Sequence, residues 1–284
     1  MASVEESKLG KQTRYDHAYD PALLFPISRA DNRHKLSDSV KDFVGEDWWT
    51  SYELSWLQPS GLPVAAIAHF RVPSDSANII ESKSFKLYLN SLNQHMFESV
   101  AELRDVLTRD LSKAASASVD VQIELVTNAN FSISEPAESE SQVCLDSLTP
   151  GSDAFVYAPD AKLLRLALVA EDESEVVEES LHSHLLRSNC PVTDQPDWGS
   201  VYIEYRGPKI DHESLLRYII SFRQCQDFHE HCVERMFCDV LAQCQCESLS
   251  VYARYTRRGG LDINPYRTTP DRQHHAPSMR TVRQ

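Results

Sequence analysis

Shifted against itself by 132 residues, the sequence begins to match. Gln58-Pro59 falls on Cys190-Pro191, Glu81-Ser82 on Glu213-Ser214, Glu98 on Glu230 and Val119 on Val251. Identity is sparse, but the pattern recurs. Each half offers an extended segment (51–58; 181–190) and an apolar strand (64–72; 201–206). Two stretches of helical period follow, the first opening at Glu81 or Glu213, the second at 99–117 or 227–245, and an alternating strand closes the half (119–127; 249–256). In the first closing strand Val119, Val121, Ile123 and Leu125 share one face, and Asp120, Gln122 and Glu124 the other. A four-stranded antiparallel sheet with two helices on one face would bury these patterns. The sequence therefore predicts an α+β chain of two tandem units. The first half spans 31–134 and the second 180–264, with an N-terminal arm at 1–30, an acidic linker with some structure at 135–179 and a basic tail at 265–284.

Charge is unevenly spread over the 284 residues, whose net charge is −14. The segment 135–179 holds twelve acids against Lys162 and Arg165, and its runs EPAESESQ (135–142) and EDESEVVEE (171–179) read as solvated linker or surface loop. Residues 254–284 hold seven Arg against two acids, and the tail from Pro265 reads as irregular, with its His274-His275 pair solvated. So acidic a chain makes a poor nucleic-acid binder, because neutralising phosphate takes clustered Lys and Arg. The longest uncharged apolar stretch, Leu62 to Ala68, is too short for a bilayer span. The first twenty residues lack the apolar region of a signal peptide. Seven cysteines without an export signal predict free thiols in the cytoplasm.

Three places carry candidate chemistry. Cys190, in SNCPVTDQPD, stands at a strand end with Asp197 seven residues on, between the stiffening Pro191 and Pro196. It reads either as a buried structural thiol or as a nucleophile whose neighbouring acid supplies the proton. That acid must be protonated near neutral pH, which burial beside Trp198 would favour. His229 and Glu230, in FHEHC, open the second helix of the second half. They read either as a solvated face or as a carboxylate that accepts two N–H bonds from a guanidine-like ring edge. The third place is Ile80-Glu81-Ser82-Lys83-Ser84-Phe85-Lys86-Leu87-Tyr88, where hydroxyls, backbone N–H groups and a cation at a helix N-terminus could meet an anion. Glu-Ser-Lys also occurs at 6–8, so the tripeptide alone means little. No H-E-x-x-H, C-x-x-C, G-x-G-x-x-G or Walker loop is present, and Cys244-x-Cys246 lacks a second pair. No metal site is expected.

The string Glu81–Tyr88 resembles the signature of the NADPH-dependent 7-cyano-7-deazaguanine reductases. Cys190 with Asp197 in CPVTDQPD, His229-Glu230 in FHE, RRGGLDINP at 257–265 and the two-half layout agree with the long, tandem form of that family. The resemblance implies the tunnelling fold, in which sheets of several units join into a barrel with active sites at unit interfaces. It implies reduction of a nitrile to a primary amine on the way to queuosine, a modified tRNA nucleoside, without direct nucleic-acid contact. Cys190 would add to the nitrile carbon to give a thioimide, Asp197 would supply protons, and two NADPH would deliver hydride in turn. Glu230 and His229 would hold the nucleobase, with Ile80, Glu81 and Ser82 also in contact. Ser82, Lys83, Arg258 and Gly259 would contact NADPH.

In the shifted register Gln58 and Phe97 stand where the second half has Cys190 and His229, and Leu215 stands where the first half has Lys83. Neither half holds the whole constellation. The site is therefore expected where a first half meets a second, within or between chains, and a homo-oligomer, a homodimer in its simplest form, follows from open sheet edges. Two rivals remain: a non-catalytic purine- or pterin-binding module of the same fold, and a GTP-cyclohydrolase-like metal enzyme.

Overall fold

The computed structural model describes residues 18–34, 36, 42–127, 142–168 and 176–284. Most of the N-terminal arm, the Glu-Ser-Lys at 6–8, the acidic run 135–141 and residues 171–175 lie outside them. The chain divides into two units, each with its own apolar core. Unit 1 comprises 1–32, 47–132 and 257–263; unit 2 comprises 33–46, 133–256 and 264–284.

In unit 1 the elements run β1 (Pro26–Ser28), the single-turn α1 (Ala30–Arg33), β2 (Val44–Leu57), β3 (Pro63–Pro73), β4 (Asn78–Ile80), α2 (Ser82–Ser91), α3 (Val100–Ala115) and β5 (Asp120–Leu125). β5 pairs antiparallel with β3, Val121 opposite Phe70. Its apolar face packs inward as the alternation requires, with Asp120, Gln122 and Glu124 exposed. Leu103, Leu107 and Leu111, four apart, form the buried stripe of α3. Ser99 starts that helix by accepting the Glu102 N–H at 3.1 Å, and Ser116 ends it in the left-handed conformation. The Phe85 ring sits 5.3 Å from Trp49 and 5.0 Å from Phe70, which fixes α2 against the sheet.

Unit 2 adds β6 (Gln142–Cys144), β7 (Val176–Asn189), β8 (Pro196–Pro208), α4 (His212–Ser221), α5 (His229–Cys244), β9 (Ser248–Tyr255) and β10 (Leu261–Thr268). Its strands lie in the order β10-β9-β8-β7-β6. The pairs are antiparallel except β6, which adds parallel to β7 with Cys144 opposite His182. The protein is α+β, but among the described residues unit 2 contributes five strands to a mixed sheet, one of them parallel, where the pattern predicted four antiparallel ones. A short apolar strand inside an acidic segment leaves no periodicity to read. Val176–Glu179, read as loop, is the start of β7, because Val177 packs against the core. The tail also departs from expectation: Pro265–Thr268 completes β10, and Tyr266, Arg267 and Thr268 pair with Tyr252, Val251 and Ser250. No helix among the described residues is long and apolar enough to cross a membrane.

Candidate active site

β7 and β8 form a hairpin whose tip carries the cysteine. Ser188 lies opposite Asp197 and Asn189 opposite Pro196. Cys190 then donates its backbone N–H to Gln195 O at 2.9 Å and accepts the Asp194 N–H at 3.0 Å, closing a tight loop. Asp194 takes the left-handed conformation, φ +56, which Asp tolerates better than most residues. Its carboxylate accepts the Asn189 side-chain amide at 3.1 Å and the Gln226 amide at 2.9 Å. The same strand end is tied to the approach to α5, since the Asn189 N–H donates to Cys225 O at 2.7 Å and the Asp227 N–H donates to Asn189 O at 3.2 Å. Two backbone bonds thus set Cys190 beside the residues that open α5.

Asp197 is 5% exposed and Cys190 8%. Asp197 Oδ2 lies 3.3 Å from His229 Nε2. The His229 ring stacks on Tyr255, centroids 3.7 Å apart and planes within 7°. Burial, first of all, pushes the Tyr255 phenol well above its ordinary range, so it stays neutral under the imidazole. Glu230, one residue on, is 2% exposed in the first turn of α5, so that turn is not a solvated face. Asp197 does not shelter against Trp198. Successive residues of β8 face opposite ways, and Trp198 is 41% exposed, with the Arg187 and Arg223 guanidiniums 5.5 and 5.4 Å from its ring.

The other thiols divide by environment. Burial pushes Cys238, Cys244 and Cys246 up to about 12. Cys232 is raised well above its usual range by its hydrogen bond with Cys225 and by burial, while the same bond lowers Cys225. Four of the seven are therefore poor nucleophiles at neutral pH.

The cationic set lies in unit 1. Ile80 is inside its core, paired with Pro26. Glu81 is the cap of α2: its two carboxylate oxygens accept the Lys83 and Ser84 N–H groups, each at 2.8 Å. The Ser84 hydroxyl donates to Glu81 O at 2.7 Å and accepts the Phe25 N–H at 3.0 Å. The helix N-terminus expected to meet an anion is thus partly closed by its own chain, which leaves the half-buried Ser82 and Lys83 side chains. Arg258 and Gly259 return to the same unit through the turn Arg258–Leu261, in which Gly259 (φ +58) and Gly260 (φ +71) are both left-handed. The Arg258 N–H donates to Leu261 O at 3.0 Å. These are the dihedrals of a two-residue hairpin turn that Gly-Gly favours. A side chain at Gly259 would touch Lys86 Cδ at 3.4 Å, so the turn sits against α2. The Arg257 guanidinium lies 4.5 Å from the Tyr52 ring, and Tyr52 donates to Asp262 at 2.7 Å.

In unit 1 the Arg258–Gly259 turn thus lies against Lys86 of α2, the helix that Ser82 and Lys83 open; in unit 2 Asp197 meets His229, with Cys190 at the tip of the same hairpin as Asp197 and Glu230 next to His229 in α5. The constant shift of 132 holds for β2 against β7 and fails further on. β2 ends at Leu57 and β7 at Asn189, but Glu81 caps α2 as Asp211 caps α4, and α3 begins at Val100 where α5 begins at His229. Shorter loops in the second half move the helices. The counterparts of His229-Glu230 are therefore Val100-Ala101, not Phe97-Glu98, and that of Lys83 is Glu213, not Leu215. Tyr255, the ring under His229, was missed from sequence; its one signal was an aromatic near the end of the alternating closing strand. A cavity of about 520 Å³ in unit 1 is lined by Trp56, Gln58, Phe97 and Glu98 among others, and its Gln58 follows β2 as Cys190 follows β7.

Comparisons with known proteins bear on both units. Residues 15–123 match the family described as nitrile reductase, 7-cyano-7-deazaguanine-reductase N-term, and residues 196–274 match the family described as QueF-like protein. A relative from Burkholderia multivorans is 55% identical over 281 residues, 99% of each chain, and is named NADPH-dependent 7-cyano-7-deazaguanine reductase. One from Burkholderia lata bears the same name and is 56% identical over 265 residues, 93% of each chain. The solved archaeosine synthase QueF-Like, in its apo form, aligns with 36% of this chain and 100% of its own at 19% identity and a TM-score of 0.30, too little to bear on the fold.

Proposed function

Since this chain belongs to the family of NADPH-dependent 7-cyano-7-deazaguanine reductases, we propose that it reduces the nitrile of 7-cyano-7-deazaguanine to the aminomethyl group through a thioimide on Cys190. It is an oxidoreductase, and NADPH is its reductant. The Cys190 thiolate adds to the nitrile carbon and the nitrogen takes a proton from Asp197, giving the thioimide. Bound NADPH would supply hydride to that carbon, twice in turn. After the first, the carbon–sulfur bond breaks, the thiolate leaves and an imine remains; after the second, the nitrogen takes its last proton and the amine is complete. His229, stacked on neutral Tyr255 and 3.3 Å from Asp197, orients the acid. Glu230 accepts the ring N–H and exocyclic amine of the nucleobase.

Ser82, Lys83 and the Arg258-Gly259 turn would hold NADPH, the two cations offering charge to its phosphates. Ile80 and Glu81 act on substrate only through the backbone they set, because one side chain is in the core and the other is a helix cap. Two tandem tunnelling-fold units, assembly of copies into a homo-oligomer and a reducing cytoplasmic setting, which keeps Cys190 a thiol, belong to the same proposal.

The observation that carries the reading is the buried Asp197–His229–Tyr255 stack beside a strand-end cysteine. The test is incubation with 7-cyano-7-deazaguanine without NADPH, followed by intact mass and peptide mapping. A stoichiometric adduct on Cys190, absent in Cys190→Ala, is expected. Nucleobase binding with no adduct would favour the non-catalytic module instead, and an adduct mapped to Cys225 would move the nucleophile.

A further inference from the structure

The sequence shows no metal-binding spacing, yet unit 2 gathers three potential ligands of two types on one sheet face. In the parallel β6–β7 pair Cys144 stands opposite His182, and His184 follows two residues along β7, hence on the same face. One ligand atom from each of Cys144, His182 and His184 lies within 4.8 Å of the others. All three are half-buried, the His182 and His184 rings are 5.2 Å apart and T-shaped, and His182 lies nearly parallel to Tyr202 at 5.9 Å.

The surroundings orient the donors. Ser200 Oγ sits 2.7 Å from His184 Nδ1, which leaves Nε2 for a ligand. Such a partner on the second ring nitrogen is what metal-bound histidines usually have. Asp146, two residues after Cys144, accepts the Ser183 hydroxyl at 2.6 Å and the His184 N–H at 2.9 Å, locking the Cys144 turn to β7. The strand carries its bulge between Ser183 and Leu186, immediately beside these ligands, where bulges commonly re-aim side chains. His182 also lines a cavity of about 690 Å³ within unit 2, together with Gln142, Tyr202 and Glu204, so there is an entry path and room for a water.

We propose that Cys144, His182 and His184 bind one zinc-class divalent cation that clips β6 to β7. Sulfur with two imidazoles suits zinc or cobalt and does not suit magnesium or calcium. Tetrahedral zinc, with bonds of about 2.0–2.3 Å, needs donors roughly 3.5 Å apart, which small rotations of the three side chains supply; water takes the fourth position. Binding displaces the Cys144 proton to solvent and leaves the thiolate on the metal. The site is not part of the reduction, since His184 lies six residues before Cys190, roughly 20 Å along the strand.

Titration of the full-length protein with Co²⁺ tests this, read by thiolate-to-cobalt charge-transfer absorption and repeated in Cys190→Ala so that the reactive thiol does not contribute. One equivalent is expected in both. Cys144→Ser should abolish the charge-transfer band, and His184→Asn should abolish tight binding. Ser200→Ala should weaken Zn²⁺ about ten- to a hundredfold by freeing the ring it holds. Zn²⁺ should raise the melting temperature of wild type and not that of Cys144→Ser. Chelation should leave reduction unchanged, because no step uses the metal. Full-strength binding of one equivalent in both Cys144→Ser and His184→Asn, or loss of reduction on chelation, would overturn the proposal.

Discussion

Replacing Asp197 with Asn tests whether the loop holds one functional acid or two interchangeable ones. Asn keeps the size and can still face His229 across 3.3 Å, so the change removes little but the transferable proton. General-acid contributions of about 10²–10⁴-fold correspond to about 2.7–5.5 kcal/mol of barrier. Asp194→Asn is the control. Its carboxylate accepts two side-chain amide N–H bonds, at 3.1 and 2.9 Å, at a loop surface. An Asn oxygen can accept the same pair, and Asn also tolerates φ near +56. The loss is then about 0.5–1.5 kcal/mol at most, or roughly tenfold or less in rate through a looser Cys190. The assay is a quenched time course of thioimide formation by intact mass, without NADPH and at saturating nucleobase. Slow formation approaching full occupancy is expected for Asp197→Asn, and near-normal formation for Asp194→Asn. If Asp194→Asn were the slower of the two, the assignment of the proton donor to the buried, His229-facing acid would be wrong.

Glu230→Gln should lower nucleobase affinity about ten- to a hundredfold, since a donor then faces a donor at a cost of about 1–3 kcal/mol; calorimetry should find NADPH affinity nearly unchanged. Lys83→Ala and Arg258→Ala should weaken NADPH more than nucleobase, with a difference from wild type that shrinks as salt rises; a salt-independent loss would point to packing. Gly260→Ala would place its Cβ 2.4 Å from Glu53 Cδ at φ +71, where a left-handed alanine alone costs about 1–2 kcal/mol. A lower melting temperature and weaker NADPH binding are expected, and an unchanged melt would mean the turn relaxes freely.

What was legible in the sequence was whatever local periodicity or local chemistry encodes. The strand of Val121, Ile123 and Leu125 and the Leu103-Leu107-Leu111 stripe could be read because each repeats at its own period. Cys190, Asp197 and the residues opening α5 could be singled out because they fall within two short strings. Tyr255 and the Cys144–His182–His184 set could not, since pairing across strands joins residues far apart in sequence. The helix register failed for a related reason. A single shift assumes equal loops, and the loops before α4 and α5 are shorter than their counterparts. The inference that the two halves are chemically unequal survives that error, because Gln58, Val100 and Ala101 supply neither thiol, imidazole nor carboxylate.

Helix α5 carries a second buried acid one turn beyond Glu230, and the two are not equivalent. Glu234 accepts the Arg33 guanidinium through both oxygens, at 2.7 and 3.0 Å, and the Arg267 guanidinium at 2.8 and 3.2 Å. Arg267, from the segment read as an irregular tail, also donates to Glu46 O at 3.1 Å and Tyr266 O at 2.9 Å. Both guanidiniums lie near the Phe43 ring, at 5.0 and 5.8 Å. A carboxylate claimed by two cations has little capacity left for a nucleobase, so Glu234 does not compete with Glu230 for the role proposed for it. Such a cluster adds little net stability, because desolvation of the charges offsets their attraction. Its consequence is positional. Slipping α5 by one residue would rotate it by about 100° and bury Glu234 without its guanidiniums, and breaking a buried pair costs about 3–5 kcal/mol. The cluster therefore fixes the rotation of the helix whose first turn presents His229 to Asp197 and buries Glu230, the residue proposed to bind the nucleobase.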